Sequence, residues 1–453
     1  MPEIDLRARV GQVLPGLRRD LEVLIRIESV SSDPSRRAEV WRCAEAVREL
    51  FAAEGLSAEI LTAESGAPAV VATKRSRRIG APTVLLYAHH DVQPENDPAD
   101  WDSPPFEPTE RDGRLYARGA ADNKAGIAAH LGAVRVYGDE LPVNLTVFVE
   151  GEEETGSATL PAFLKQYGDQ LAADVIVIAD SSNWDLGVPA LTTSLRGEVS
   201  VDIEVRTLEH AVHSGMWGGL VPDALMAVSR LIASLHDDEG NVAVEGLHAG
   251  RAAAVDYPDD RLRLGSGAIA PLQWIGSGTA VERLWTRPSL TVTGLDAPKV
   301  DGASNTLTPS ARARLSLRIA PGDTVRNAIT RLREHCERHV PWGAELTVTV
   351  VEACEATRID ATGPAYDAAR DALTEAWDGT APIDMGLGGS IPFIATFMEA
   401  YPSASVLVTG VEDPDTRAHG ANEGLHLAEF ERVVLAEVLL LRNLGTGGAR
   451  PDA

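Results

Sequence analysis

Residues 83–94 read TVLLYAHHDVQP, an apolar run that ends at His89, His90 and Asp91. An apolar run of this length with β-branched residues is typical of a buried strand of the parallel type. Similar runs occupy residues 69–73, 145–149 and 175–179, and polar or charged residues follow each of them. Because parallel strands place their carboxyl ends at one edge of a sheet, the pattern predicts an α/β domain with its functional residues at the strand ends.

The apolar spacing changes along the chain and divides it into regions. Helical spacing predicts helices at residues 18–27, 36–54, 125–136 and 157–167. Near residue 195 the pattern becomes strictly alternating and predicts half-exposed strands at residues 198–206, 289–293, 311–319 and 345–351, with helices at 222–235 and 324–338. That element order is ferredoxin-like, with residues 237–287 as an irregular insertion. After residue 357 the α/β pattern returns, with helices at 364–377 and 428–444, a glycine-rich turn and a strand at 405–408.

The simplest architecture is therefore a discontinuous α/β domain with a smaller ferredoxin-like α+β domain inserted into it. We expect the first part of the α/β domain at residues 1–194, the inserted domain at 195–357 and the second part at 358–453.

Charge and composition exclude several classes of protein. The chain of 453 residues has a formal net charge of −26, and it lacks the basic footprint that a nucleic-acid binder needs. No apolar run reaches the ~20 residues of a membrane helix. The first residues lack the apolar core of a signal peptide, so we expect a cytoplasmic protein. Cys43, Cys336 and Cys354 are too few and too scattered for a disulfide framework or a thiolate zinc site.

Five polar clusters follow the apolar strands or occupy glycine-rich turns: residues 87–94 (YAHHDVQP), 118–124 (RGAADNK), 150–156 (EGEEETG), Asp180 and 418–423 (AHGANE). Each cluster alone has a structural explanation: Asp122 could cap a helix, and His419 could be an ordinary hydrogen-bonded histidine. Together they bring imidazoles and carboxylates to one sheet edge. That donor set suits Zn²⁺, with Mn²⁺ or Co²⁺ as alternatives, and a spare glutamate beside it is typical of a two-metal hydrolytic site.

These motifs, in this order, resemble the di-zinc metallopeptidases that include carnosinase, glutamate carboxypeptidase, acetylornithine deacetylase and succinyl-diaminopimelate desuccinylase. The resemblance covers nearly the whole chain. It is closest to the carnosinase-type cytosolic dipeptidases, through residues 91–94 (DVQP), 213–219 (HSGMWGG) and 388–392 (GGSIP). It implies a zinc-peptidase-like mixed sheet and an inserted lid and dimerisation domain. It also implies two divalent metal ions per chain, with zinc as the first choice and manganese or cobalt as alternatives.

The resemblance also implies roles for residues of the α/β domain. It implies five metal ligands with Asp122 shared between the ions: His89, Asp122 and Asp180 for one ion, and Asp122, Glu154 and His419 for the other. Asp91 matches the residue that orients the ligand imidazole, and Glu153 matches the general base. Because residues 152–154 are three consecutive glutamates, a shift of the base and ligand assignments by one residue stays open. A cis peptide bond is expected between Asp122 and Asn123.

In the inserted domain, His213 matches the histidine that stabilises the oxyanion, which in this family commonly comes from the neighbouring subunit. The resemblance implies that the substrate contacts Arg318, Asn305, Ser390 and Gly389, with Arg318 on the carboxylate. An exposed strand arginine is the alternative for Arg318. Related dipeptidases often have Arg-Glu before the Gly-Gly-Ser-Ile-Pro motif. This chain has Gly386 and Leu387 there, so we expect a different side-chain preference.

We therefore expect a metal-dependent hydrolase that cleaves the amide bond of dipeptides or small peptides and forms a homodimer through the inserted domain. An N-acyl amino acid amidohydrolase would use the same site and is the first alternative. A non-catalytic metal-binding or peptide-binding protein is the second, although the base and the bridging ligand are both present. A two-metal phosphoesterase lacks a basic phosphate cradle.

Overall fold

The computed structural model describes residues 5–250 and 255–447. The chain divides into two compact units. The first contains the described residues up to Thr193, then Ile359–Met385 and the described residues from Pro392 onwards. The second contains Ser194–Arg358 and Gly386–Ile391.

Helices and strands are numbered along the chain. The helices are α1 (Leu6–Ile25), α2 (Arg37–Ala53), α3 (Lys124–Tyr137), α4 (Leu160–Leu171), α5 (Ser214–Trp217), α6 (Ala224–Ala233), α7 (Asp259–Ser266), α8 (Val325–His339), α9 (Pro364–Ala376), α10 (Pro392–Ala400) and α11 (Leu427–Thr446). The strands are β1 (Ser57–Leu61), β2 (Ala69–Lys74), β3 (Thr83–His89), β4 (Thr109–Arg111), β5 (Arg114–Tyr116), β6 (Asn144–Glu150), β7 (Val175–Ala179), β8 (Ala190–Leu195), β9 (Gly197–Arg206), β10 (Val212–His213), β11 (Ser289–Leu295), β12 (Thr306–Leu307), β13 (Ser310–Ile319), β14 (Glu345–Cys354), β15 (Thr357–Arg358), β16 (Ile383–Leu387), β17 (Ser405–Thr409) and β18 (Gly424–His426).

The large sheet is mixed and runs in the order β1-β2-β6-β3-β7-β17-β8-β15, with β16 also paired to β8. Strands β6, β3, β7 and β17 are mutually parallel neighbours, so their carboxyl ends lie at one edge. The α/β fold is therefore confirmed. However, β2 pairs antiparallel with both β1 and β6, so the predicted parallel type is wrong for residues 69–73. An apolar run reports burial on both faces of a sheet, and β2 is buried without being parallel.

Several helices differ from their predicted bounds. Helix α1 begins at Leu6 rather than at residue 18, because Asp5 caps it by accepting from the N–H of Ala8 and because Leu6 and Val10 are buried. Pro15 lies inside this helix and does not end it. Between residues 377 and 405 the chain forms β16 and α10, where only a glycine-rich turn was predicted. Within residues 5–250 and 255–447, no helix is both long enough and apolar enough to cross a bilayer.

A small antiparallel sheet in the first unit joins two distant loops. Strand β5 pairs with β4 on one side and with β18 on the other. The loop after β5 carries Asp122, and the loop before β18 carries His419. This pairing therefore fixes the approach of two residues that are far apart in the sequence.

The second unit contains a four-stranded antiparallel sheet in the order β11-β13-β9-β14. With α6 and α8, this is the expected ferredoxin-like arrangement. Val199, Val201, Ile203 and Val205 are all buried in its core, as their alternation along β9 predicted. The predicted insertion at residues 237–287 contains α7, and residues 251–254 of it lie outside the described residues.

Candidate functional site

His89, the last residue of β3, is fully buried at the edge where the parallel strands end. Its Nδ1 lies 3.1 Å from the backbone oxygen of Asp91 and 3.4 Å from the Asp91 carboxylate. Its Nε2 lies 3.1 Å from Asp122 Oδ1 and 3.4 Å from Asp180 Oδ1. One ring nitrogen therefore faces Asp91, and the other faces two carboxylates.

Asp122 lies between two histidines. While Oδ1 faces His89, Oδ2 is 3.0 Å from Nε2 of His419. The peptide bond from Asp122 to Asn123 is cis, as expected. The N-cap of α3 is Asn123, and its amide nitrogen donates to Asp180 Oδ1 at 2.9 Å. Asp122 is therefore not the N-cap of α3, which was the structural alternative for this residue.

Glu154 also faces the His419 ring. Its Oε2 lies 3.3 Å from Nε2 of His419. Gln93 fixes the same carboxylate, since its N–H donates to Oε1 at 3.1 Å and its side-chain amide donates to Oε2 at 2.8 Å. The structure thus brings the predicted α/β residues together. Ligand atoms of His89, Asp122 and Glu154 form one close group and those of His89, Glu153 and Asp180 a second, so the two groups share His89. Asp122 lies between the two histidines.

The three consecutive glutamates occupy different environments. Glu152 turns away, and its carboxylate accepts from the N–H and hydroxyl of Thr159, at 2.7 and 2.6 Å, and from the N–H of Ala67 at 3.1 Å. Glu153 lies with the cluster, with Oε2 at 3.9 Å from His89 Nε2. This arrangement favours the register in which Glu153 is the base and Glu154 the ligand.

Protonation in the cluster reflects its crowded carboxylates. Burial raises the pKa of Glu154 to about 7, and the charge of Asp122 adds to the effect. Burial also raises the pKa of Glu153 well above its ordinary value, although His89 opposes the shift. Hydrogen bonds to Asp122 and Glu154 raise the pKa of His419 to about 11. A cation bound here would replace these protons, so the donor set fits a divalent metal.

Sequence reasoning missed Glu412, which follows β17 in the same unit. Its backbone pairs with Ser182, two residues after Asp180. Burial raises the pKa of Glu412 well above its ordinary value, and the nearby charges of Asp122 and Asp180 raise it further. The rule that functional residues follow parallel strands would have identified it, because β17 ends only three residues earlier.

His213 and Asn305 come together in the second unit. Strand β10 pairs with β12, with His213 opposite Thr306, and the N–H of Ser214 donates to the backbone oxygen of Asn305 at 2.9 Å. The ring nitrogen Nδ1 of His213 accepts from the N–H of Gly215 at 3.0 Å. That bond fixes the ring and leaves Nε2 as the nitrogen able to donate to a ligand.

Arg318 and Ser390 also come together in the second unit. Arg318 Nη1 donates to Ser390 Oγ at 2.8 Å, next to the exposed Gly389. The same nitrogen lies 2.9 Å from the carboxylate of Glu198 on β9. Arg318 is therefore ion-paired, and a substrate carboxylate would have to share it with Glu198.

Arg196 is a second arginine beside this loop, and no motif in the sequence points to it. Its Nε donates to the Gly388 oxygen at 3.0 Å and its Nη1 to Ser289 Oγ at 2.9 Å. Burial lowers the pKa of Arg196 to about 10, and the charge of Arg318 adds to the effect. This buried cation supports the Gly-Gly-Ser loop and makes its surroundings favourable for an anion.

Trp285 packs closely against Gly386. A Cβ atom at residue 386 would lie 2.7 Å from the Trp285 Cβ and 2.9 Å from Ser194 Oγ. A larger side chain would require Trp285 to move. The packing of Trp285 against Gly386 is therefore incompatible with a charged side chain at residue 386 in this arrangement.

Comparisons with known proteins place this chain among peptidases. Residues 85–443 match the peptidase family M20/M25/M40. A cysteinylglycine-S-conjugate dipeptidase of Corynebacterium striatum is 35% identical over 371 residues, 81% of this chain and 82% of that protein. The structure of the dipeptidase Dug1p from Saccharomyces cerevisiae superposes with a TM-score of 0.81 at 23% identity, covering 97% of this chain and 98% of that one.

Human carnosine dipeptidase 1 has the same fold, with a TM-score of 0.80 at 24% identity over 97% of this chain and 98% of that one. The family match covers most of the chain. The chain therefore belongs to the M20/M25/M40 family of peptidases.

Proposed function

We propose that this peptidase hydrolyses the amide bond of dipeptides or similarly short peptides with two divalent cations held in its first unit. The observation that carries the proposal is the position of Asp122, whose two oxygens lie 3.1 and 3.0 Å from the ring nitrogens of His89 and His419. A carboxylate placed in this way can bridge two cations. The relatives named above are dipeptidases, which supports a short peptide as substrate.

His89, Asp122 and Asp180 would hold one cation, and Asp122, Glu154 and His419 the other. Two cations bound there would supply Lewis acidity to the amide carbonyl and to the attacking water. The ligand chemistry favours Zn²⁺, with Mn²⁺ and Co²⁺ as alternatives. Asp91 would orient His89 through its Nδ1.

The remaining steps belong to this chain's own side chains. Glu153 takes a proton from the attacking water and passes it to the leaving amine, a role that suits a carboxylate whose pKa burial raises. His213 donates to the oxyanion through Nε2. Arg318, Ser390 and the backbone of Gly389 bind the substrate carboxylate, and Asn305 adds a hydrogen bond to the carbonyl under attack.

We assign the first unit as the catalytic domain and the second as the lid and dimerisation domain of a cytoplasmic homodimer. Two features of the second unit support a dimer. Strand β14 is an edge of its sheet and exposes Val350 and Val351. Met216 and Trp217 are exposed beside His213, and a partner subunit would cover them and bring His213 to its active site.

The test is hydrolysis of a dipeptide panel by metal-stripped protein that is refilled separately with Zn²⁺, Mn²⁺ and Co²⁺. N-acetyl amino acids form the comparison arm, because an N-acyl amino acid amidohydrolase would use the same site. Hydrolysis of dipeptides only after metal addition supports the proposal. Faster cleavage of N-acetyl amino acids would reassign the substrate class, and no cleavage with any metal would refute an enzymatic role.

A further inference from the structure

Glu423 lies four residues after His419, and its carboxylate is completely buried, with 0% of the residue exposed. Its Oε1 accepts from the backbone N–H of Ala121 at 2.9 Å and from that of Asp122 at 3.1 Å. The second of these donors is the main chain of the bridging residue itself. Glu423 therefore holds Asp122 by its backbone, while the Asp122 side chain stays free for the cluster.

The other oxygen of Glu423 holds the start of the same loop. Oε2 accepts from the N–H of Gly119 at 3.0 Å and from Nη1 of Arg118 at 2.6 Å. Arg118 is only 1% exposed, so this ion pair is shielded from water. Removal of either charge would leave the other buried without its counter-charge. Both carboxylate oxygens are thus used on the loop that ends at Asp122.

Arg118 extends the contact to the histidine loop. Its Nη2 donates to the Gly420 oxygen at 3.1 Å, directly after His419, and to the Pro94 oxygen at 3.2 Å. The pair of Glu423 and Arg118 therefore ties the loop of Asp122 to the loop of His419. On these two loops, the Asp122 carboxylate and the His419 ring lie 3.0 Å apart, where the second cation would bind.

We propose that Glu423 is a positioning residue, which sets the bridging carboxylate against the two histidines and so determines metal affinity. This inference rests on the proposed metal-binding function. Glu423 touches neither substrate nor reacting atoms and acts through the main chain of Asp122. Groups that orient metal ligands in this way typically contribute 10–100-fold to affinity.

The test compares Glu423→Gln with the matched control Glu437→Gln. Glu437 of α11 is also a buried carboxylate, 6% exposed, and it pairs with His130 of α3 at 2.8 Å. A glutamine at residue 423 can accept from only one of the two donor pairs, so its amide group opposes the other. We expect Co²⁺ binding to metal-stripped protein, followed by visible absorption, to weaken about 10–100-fold in Glu423→Gln and to be unchanged in Glu437→Gln.

Thermal melting separates a positioning role from a merely structural one. Both variants should melt lower than the wild type without metal, but only Glu423→Gln should lose part of the rise in melting temperature on adding Co²⁺. Excess Co²⁺ should restore turnover in Glu423→Gln. Equal Co²⁺ affinity in Glu423→Gln and wild type would overturn the inference.

A wild type that binds no Co²⁺ would instead refute the proposed metal function, so the two failures are distinguishable. If Glu423→Gln does not fold, Arg118→Lys replaces it, because one ammonium group cannot hold both Glu423 and Gly420 in the same way. Weaker Co²⁺ binding in Arg118→Lys would support the inference, and unchanged binding would overturn it.

Discussion

Replacing Glu153 and Glu152 separately by glutamine gives two opposite outcomes. Glu153→Gln keeps the size of the side chain but cannot accept a proton from water. Turnover should therefore fall at least ~100-fold, equivalent to about 2.7 kcal/mol in the barrier, while metal content and fold are retained.

Glu152→Gln should leave catalysis intact and lower stability. The Glu152 carboxylate accepts from the N–H groups of Thr159 and Ala67 and from the Thr159 hydroxyl. An amide must turn its nitrogen towards one of these donor sides, so at least one hydrogen bond is lost. That loss should cost about 1–3 kcal/mol of the free energy of unfolding.

Three measurements on each variant are needed: turnover per metal-loaded molecule, metal content by elemental analysis, and urea unfolding. The expected result is low turnover with normal stability for Glu153→Gln and the reverse for Glu152→Gln. If Glu152→Gln loses turnover while Glu153→Gln keeps it, the assignment of base and ligand along these glutamates is wrong by one residue.

Three further predictions concern Asp122, His213 and the pair of His130 and Glu437. Asp122→Ala removes a ligand from both cations, so elemental analysis should find less metal at both sites and thermal stability should fall; two metals per chain would contradict the bridging role. Mixing inactive His213→Ala and Glu153→Gln subunits should partly restore activity if His213 serves the partner's site, and no recovery despite subunit exchange would argue against sharing. Burial opposes the charged form of His130, but the charge and hydrogen bond of Glu437, together with a hydrogen bond to the Tyr87 backbone oxygen, raise the pKa of His130 above its ordinary value. The stabilisation is thus complete below roughly pH 6.5 and is lost as pH rises through the folded pKa, so urea unfolding should find that Glu437→Gln loses more stability at pH 6 than at pH 9.

Apolar patterning predicted the fold because burial is what it records. The runs at residues 83–88 and 175–179 became adjacent parallel strands, and the alternation along β9 became one buried face. Strand direction is a different matter, since β2 is as apolar as its neighbours and yet runs antiparallel to β6. Direction depends on how the chain returns to the sheet, which local composition does not record.

The candidate site divides in the same way. His89, Asp122 and Asp180 could be selected from sequence because each follows or faces the end of a parallel strand and has the chemistry of a metal ligand. Glu423 has the same chemistry, but its function depends on four donors contributed by residues 118–122, which reach it through the pairing of β5 with β18. Three of these donors are main-chain N–H groups and the fourth is the Arg118 side chain, all on a distant loop, so the residues next to Glu423 in the sequence do not indicate its role.

Side-chain chemistry alone could not decide which of the three glutamates at residues 152–154 face the metal-ligand cluster. Asp91 accepts from the N–H of Glu153 at 3.2 Å and from the N–H of Glu154 at 3.1 Å, one on each carboxylate oxygen. These two bonds select which consecutive residues turn towards the cluster, and they leave Glu152 before the turn. Asp91 thus contacts both His89 and the turn that holds the proposed base and the proposed ligand beside it. The distinction among three identical side chains is therefore made by main-chain hydrogen bonds to a residue about sixty positions earlier, where no property of the glutamates themselves could record it.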